Sequence, residues 1–167
     1  SRGYAVLRLN YRGSTGFGKR HLNAGNKQWG KAMQDDLADG AAWAVAQGLA
    51  DPQRIAILGQ SYGGYAALVG ATTGDYRCAV DLVGPANLFT LLASVPPYWD
   101  AMKKMFLKRI GDPVADQALL RAASPAFAAD RIVKPLLIGQ GLNDPRVKRA
   151  ESDQMVKAIA AAGRGVT

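Results

Sequence analysis

The stretch Arg54-Ile55-Ala56-Ile57-Leu58-Gly59-Gln60-Ser61-Tyr62-Gly63-Gly64 decides the fold of this chain. The apolar run over 54–58 predicts a strand, and the glycine-rich residues 63–72 predict a helix. Between them stands a Gly-x-Ser-x-Gly pattern, in which a sharp strand-to-helix turn lifts the serine hydroxyl clear of the backbone. Small residues flank such a serine because the reversing chain leaves little room for a Cβ atom. The pattern predicts that Ser61 is a catalytic nucleophile; a plain glycine-rich turn is the alternative.

Apolar runs and helical patterns alternate along the chain, which favours an α/β fold: a parallel sheet with helices packed on it. The predicted strands are 4–9, 54–58, 79–83 and 135–139, with another expected to begin at Val166-Thr167. The predicted helices are 33–47 (with Gly48 at its end), 63–72, 100–110, 114–122 and 149–162. Residues 86–131, which contain Pro96-Pro97, are less regular. We interpret them as a lid or pocket insertion within one domain spanning 1–167.

Composition restricts the possible partners. The chain has 167 residues, 49% of them hydrophobic, and no apolar run approaches the roughly 20 residues of a membrane span, so we expect a soluble protein with no membrane partner. The net charge of +8 could indicate a basic module that binds nucleic acid, but the basic residues are dispersed and the densest cluster, 103–109, is brief. We therefore expect no nucleic-acid partner. The sequence does not choose between cytoplasm and periplasm, and the lack of an initiator Met favours a piece of a longer protein.

Metal and disulfide chemistry is also restricted. Cys78 is the only cysteine, which excludes an intrachain disulfide and a thiolate metal site. Its apolar surroundings favour a place in the core. Phosphate-binding glycine motifs are absent, so we expect neither a metal nor a cofactor.

A serine hydroxyl needs a base to remove its proton, usually a histidine that a carboxylate orients. Asp144 follows the predicted strand 135–139, at the edge where catalytic groups of parallel sheets collect, and is the candidate carboxylate. An aspartate in a turn before Pro145 is the alternative. His21, the only histidine, precedes Ser61 in a glycine- and asparagine-rich segment, so we interpret it as a surface or loop-packing residue. The backbone N–H of Tyr62 is the candidate for one oxyanion donor.

A series of short motifs follows in chain order along nearly the whole chain. The motifs are Asn10–Ser14 with Gly16–Gly18, Trp29-Gly30, Asp35–Leu37, Gly59–Tyr65, Gly111–Pro113, Ser124-Pro125 and Gly141–Val147. Together they resemble the catalytic domain of the prolyl oligopeptidase family of serine peptidases, in particular its acylaminoacyl-peptidase-like and dipeptidyl-peptidase-like branch.

The resemblance implies an incomplete α/β-hydrolase fold, which is a mostly parallel sheet with helices on both faces. It also implies that Ser61 forms an acyl-enzyme and that Asp144 orients the base. Short peptides are the implied substrates, and Phe89 and Val147 are implied to line the pocket for the residue before the cleaved bond. Full-length relatives carry an N-terminal β-propeller, which we expect in the parent protein. An esterase or acyl transferase with the same nucleophile is the close alternative.

The resemblance also implies that two parts of the site lie outside this chain. The family's histidine follows a further strand and is expected after Thr167, and the second oxyanion donor is expected on a strand before Ser1. That upstream strand would lie between 4–9 and 54–58, so we expect either direct pairing of these two segments or exposed strand edges. The chain alone is therefore expected to be a non-catalytic fragment.

Overall fold

The structure, a computed structural model, describes residues 3–96 and 98–164 and contains one parallel sheet. Its strands are β1 (Ala56–Gln60), β2 (Cys78–Leu82) and β3 (Leu136–Gly139), in the order β1-β2-β3. Gln60 pairs with Leu82, and Leu82 pairs with Gly139, so the three strands end together at one edge. These are the predicted strands 54–58, 79–83 and 135–139, displaced by one or two residues.

Helices connect and cover the strands. They are α1 (Gly18–Ala24), α2 (Ala32–Ala46), α3 (Tyr62–Thr73), α4 (Leu88–Ala93), α5 (Asp100–Arg109), α6 (Gln117–Ala122) and α7 (Arg149–Ala161), and 3₁₀ turns span Pro52–Arg54 and Pro125–Arg131. The helices predicted over 33–47, 63–72, 100–110 and 149–162 are confirmed within one residue, whereas 114–122 begins three residues later than predicted. Helices α1 and α4 were not predicted. Pro97 and Val166-Thr167 lie outside the described residues.

The prediction of a strand over 4–9 is wrong. These residues form no ladder, and Tyr4 and Val6 are 78% and 74% exposed. A strand is stabilised by pairing with a neighbour, and no described strand lies beside this segment, so its β propensity is not sufficient. Of the two expected outcomes, exposed strand edges are therefore the one observed, with β1 at the edge of the sheet.

The main hydrophobic core lies on one face of the sheet. Leu68 of α3 and Met155 of α7 pack there with Ala79 and Leu136, all of them buried. The opposite face carries Leu58, Leu82 and Leu137, which are 68%, 36% and 49% exposed. Helices were expected on both faces of the sheet, but on this face no described helix covers these three side chains. In the described part of the chain, no helix is both long and apolar enough to cross a membrane.

Residues 86–131 pack against α3 and share its core. Fully buried Tyr65 of α3 lies in a second cluster with Leu88, Ile110 and Leu120, and its hydroxyl donates to Ala123 O at 2.7 Å. This segment is therefore continuous with the rest of the domain. Its role as a lid or pocket insertion stays a prediction.

Glycines allow the backbone of α3 to lie directly against the backbone of the sheet. A Cβ atom on Gly59 would lie closer to the backbone of Gly63 than real Cβ contacts allow. Gly64 is similarly restricted by Asp81 and by the backbone of Gly84. The turn between β1 and α3 can close only because these positions have no side chain.

Asp81 is a buried carboxyl beneath this turn. It is 0% exposed, its Oδ1 accepts from Gly84 N at 2.7 Å, and Oδ2 has no partner among the described residues. Burial disfavours the charged form and raises the pKa of Asp81 from 3.8 to about 7. The carboxyl is therefore a pH-dependent element inside the fold.

We predict that Gly59→Ala destabilises the protein and that Gly63→Ala does not. The new methyl on residue 59 would displace the α3 backbone, at a cost of about 3 kcal/mol. A methyl group on Gly63 would meet no atom within 4 Å beyond its chain neighbours and the adjacent backbone of its own helix. Alanine there favours the helix by up to about 1 kcal/mol. Chemical denaturation of the whole protein measures both variants. Equal effects would contradict the close-contact explanation.

We predict that Asp81→Asn removes part of the pH dependence of stability. Below pH 3.8 the carboxyl is protonated in both states, so its stabilising contribution is fully present. As pH rises to about 7, the unfolded state releases a proton that the folded state retains, and the free energy of unfolding falls. The difference between the two pKa values corresponds to about 4 kcal/mol.

The amide introduced by Asp81→Asn would stay neutral, so the variant should match the wild type near pH 4 and exceed its stability at pH 8. Denaturation curves at both pH values test this, with exposed Asp75→Asn as the matched control. A stability difference between variant and wild type that is the same at both pH values would contradict the prediction.

Candidate active site

Ser61 occupies the turn between β1 and α3 in a strained backbone conformation. Its φ and ψ are 56° and −116°, a region that residues other than glycine rarely adopt. The turn is held by two backbone bonds: Ser61 N donates to Leu82 O at 2.9 Å, and Ser61 O accepts from Tyr65 N at 3.0 Å. The residue is exposed. The structure therefore presents this side chain at the carboxyl edge of the sheet, as the Gly-x-Ser-x-Gly pattern predicts.

A second strained residue lies on the adjacent strand end. Val83 has φ 51°, which is unusual for a β-branched residue, and its N–H donates to Gly139 O at 2.8 Å. Strained backbone accumulates at functional sites, where the surrounding structure maintains it. The strain at Val83 was not predicted from the sequence; the following Gly84-Pro85, which ends β2 abruptly, is the signal that indicates it.

Asp144 lies in the loop between β3 and α7. Its Oδ1 accepts from Arg146 N and Val147 N, both at 2.8 Å. The N–H groups of Val147 and then Arg146 favour the charged form and lower the pKa of Asp144 below its ordinary value. The carboxylate is thus ionised at neutral pH and held by its own loop.

The sheet brings Ser61 and Asp144 to the same edge. Ser61 follows Gln60 of β1, and Asp144 lies five residues after Gly139 of β3, with β2 between the two strands. Adjacent strands are about 4.8 Å apart, so the ends of β1 and β3 are separated by about 10 Å. Among the described residues, neither side chain hydrogen-bonds to the other. The arrangement leaves Ser61 without a base and Asp144 without a partner side chain in the part of the chain that the structure describes.

Tyr62 begins α3, so its N–H is one of the terminal donors that the helix itself does not pair. Its ring packs against Tyr11 and Trp29, with centroids 5.1 and 4.6 Å away. The hydroxyl is buried with no partner among the described residues, and burial raises the pKa of Tyr62. This group of packed aromatic rings, Tyr11, Trp29 and Tyr62, was not predicted, because Tyr11 and Trp29 were considered only as parts of motifs.

Phe89 and Val147 follow two neighbouring strands of the sheet. Phe89 is half-buried on α4 and contacts Phe127 edge-on, with centroids 6.3 Å apart. Val147 is 7% exposed and lies in the loop that also carries Asp144. Their role in lining a substrate pocket stays a prediction.

His21, which was interpreted as a surface or loop-packing residue, lies on the short helix α1 and not in a loop. Its Nε2 is 3.1 Å from Tyr11 O, and its ring packs against Phe17. It borders an open cavity of about 420 Å³ together with Arg12 and Asp36, which form a two-point ion pair. These contacts agree with a packing role.

Cys78 is half-buried, whereas a core position was expected. It lies at the start of β2, on the sheet face opposite α3, where neighbouring side chains are exposed. In the part of the chain that the structure describes, no three His, Cys, Asp or Glu side chains come together to hold a metal ion.

Comparison with known proteins identifies relatives of this chain. Dipeptidyl aminopeptidase BIII of Pseudoxanthomonas mexicana is 57% identical over 171 residues, which cover 100% of this chain and 25% of that protein. Dipeptidyl peptidase family member 6 of Caenorhabditis elegans is 49% identical over 95% of the chain and 22% of its own length. The chain thus spans about a quarter of the length of these relatives.

Solved structures share the fold. A puromycin-hydrolyzing peptidase of Mycobacterium tuberculosis superposes with a TM-score of 0.85 at 31% identity, over 93% of this chain and 23% of that one. The acylaminoacyl peptidase of Pyrococcus horikoshii gives 0.83 at 25% identity, over 94% and 26% of the two chains. The three parallel strands and their helices are therefore part of an α/β-hydrolase fold. The sequence model of the prolyl oligopeptidase family matches residues 1–167, and the chain belongs to this family.

Proposed function

We propose that this chain carries the nucleophile of a serine peptidase that cleaves short peptides through an acyl-enzyme on Ser61. The observation that carries the proposal is the strained, exposed turn at Ser61, on the same sheet edge as the ionised Asp144. A turn of this kind presents a serine oxygen to a substrate carbonyl without obstruction from the backbone. The relatives are named as peptidases, which supports the same activity.

In the proposed reaction, Ser61 Oγ adds to the scissile carbonyl carbon while a base takes the hydroxyl proton. The oxyanion that forms accepts a hydrogen bond from Tyr62 N–H. The carbon–nitrogen bond then breaks, the leaving amine receives the proton from the base, and an ester remains on Ser61. Water, deprotonated by the same base, attacks this ester and releases the acid, which restores the Ser61 hydroxyl.

We propose that a histidine elsewhere in the whole protein is the base and that Asp144 orients it. His21 is the only histidine of this chain, and its ring nitrogen already lies beside Tyr11 O. Loss of a triad histidine lowers turnover by about 10⁶-fold. We therefore expect the 167-residue chain alone to be inactive, and a propeller domain and the second oxyanion donor to belong to the whole protein.

Dipeptides released from peptide N-termini are the products that we propose for the whole protein. The relatives of 57% and 49% identity are named as a dipeptidyl aminopeptidase and a dipeptidyl peptidase family member, respectively. Phe89 and Val147, which follow β2 and β3, are proposed to contact the residue before the cleaved bond.

We predict that a fluorophosphonate labels the whole protein at Ser61 only. The Ser61→Ala variant should lose labelling and peptide hydrolysis, whereas Ser94→Ala, which removes a hydroxyl bonded to Leu91 O, should retain both. Peptide mapping by mass spectrometry locates the label. Labelling of another serine would overturn the proposal, and hydrolysis of simple esters without any detectable hydrolysis of peptide amides would favour an esterase.

We predict that Asp144→Asn lowers kcat of the whole protein by about 10³- to 10⁴-fold with little change in KM. The amide cannot stabilise a histidine that has taken the serine proton, although the variant can keep the loop bonds to residues 146 and 147. Exposed Asp153→Asn, which loses only a surface ion pair with Arg149, is the matched control and should stay within about twofold. Similar kcat values for both variants would contradict the assignment of Asp144.

A further inference from the structure

Helix α7 starts five residues after Asp144 and carries two buried polar residues in its first turn. Glu151 and Ser152 are 3% and 6% exposed. Burying a carboxylate away from water is costly unless hydrogen bonds satisfy it. The partners of these two side chains therefore show what the helix holds in place.

Glu151 binds the segment that leads into α4. Its Oε2 accepts from Ala86 N at 3.0 Å and from Asn87 N at 2.9 Å, and its Oε1 accepts from the Thr90 hydroxyl. Asn87 in turn caps α4, since its Oδ1 accepts from Phe89 N at 3.1 Å. Glu151 thus fixes the start of the helix that carries Phe89, 62 residues earlier in the chain.

Ser152 binds the loop that carries Asp144. Its hydroxyl donates to Gln140 Oε1 at 2.8 Å. The amide of Gln140 then donates to Gly141 O at 3.0 Å and to Val147 O at 3.2 Å. These bonds tie together the two ends of the loop, and Asp144 lies between them with its carboxylate bonded to Val147 N.

Gln154, one turn further along α7, adds two contacts to the segment that Glu151 holds. Its Oε1 accepts from the Asn87 side-chain amide at 3.0 Å. Its own amide donates to Thr90 Oγ1 at 3.3 Å. One rigid helix end therefore contacts both the segment with Phe89 and, through Gln140, the loop with Asp144.

We propose that Glu151 and Ser152 are positioning residues that set the substrate pocket and the catalytic carboxylate relative to each other. Glu151 positions Phe89 by holding residues 86–90. Ser152 positions Asp144 by holding Gln140. The inference rests on the proposed peptidase function. The contacts of Glu151 with residues 86–90 are expected to affect substrate specificity, and the contact of Ser152 with Gln140 is expected to affect kcat.

A purely stabilising role for the helix end would give a different result. It would lower the fraction of folded protein and leave KM, specificity and the kcat of the folded molecules unchanged. Titrating active molecules of the whole protein with a fluorophosphonate corrects for that fraction. The ratio of kcat/KM for two peptide substrates that differ only in the residue before the cut then reports on the pocket.

The test compares Glu151→Ala, Ser152→Ala and the surface control Lys157→Ala in the whole protein. Displacement of a catalytic group by about 1 Å costs on the order of 100-fold in rate. We expect Ser152→Ala to lower kcat by about 10- to 100-fold equally for both substrates, with KM unchanged. We expect Glu151→Ala to change the ratio of kcat/KM between the substrates by about tenfold or more, and Glu151→Gln, which keeps an acceptor oxygen and adds an amide donor, to restore most of it.

Amide hydrogen exchange gives a readout that does not depend on catalysis. Glu151→Ala should speed exchange in residues 86–90, and Ser152→Ala should speed it in 141–147, each leaving the other segment protected. Changes in both segments for both variants, or corrected kinetics equal to those of Lys157→Ala, would overturn the inference. Failure of the wild-type protein to label at Ser61 would instead overturn the proposed function, and the exchange pattern would still decide whether each residue holds its segment.

Discussion

The close backbone approach of α3 to the sheet is the constraint on which the rest of the site depends. Gly59 meets the backbone of Gly63, and Gly64 meets Asp81 and Gly84, with no space for side chains at the two restricted glycines. This contact makes the chain reverse within one residue, and Ser61 takes up the unfavourable φ of 56° that the reversal requires. The close packing of these small residues thus leaves the Ser61 hydroxyl exposed at the turn.

The fold tolerates two further costs near this contact. Asp81 is enclosed against the glycines with one oxygen unpartnered among the described residues, and Val83 adopts a positive φ at the end of the neighbouring strand. Both lie under or beside the edge where Ser61 and Asp144 are presented. Natural proteins accept local strain and unsatisfied polar atoms mainly where function requires a defined geometry, and this edge fits that pattern.

Local patterns were sufficient to predict the turn at Ser61, the three observed strands and the position of Asp144, because each depends on residues adjacent in sequence. The strand over 4–9 failed because a strand needs a neighbour, which the segment itself does not specify. The contacts of Glu151 with Ala86 and Asn87 join residues 65 and 64 positions apart, and Asp81 is buried against Gly64 of α3. No local pattern contains either feature.

A crystal structure of the whole protein after reaction with a phosphonate inhibitor tests the central claim most directly. We expect a covalent bond from Ser61 Oγ to phosphorus, a phosphonyl oxygen about 3 Å from Tyr62 N, and a positive φ retained at Ser61. A histidine between the adduct and Asp144 should complete the site. An adduct on another residue, or Ser61 in an ordinary helical conformation with its hydroxyl turned away, would contradict the account.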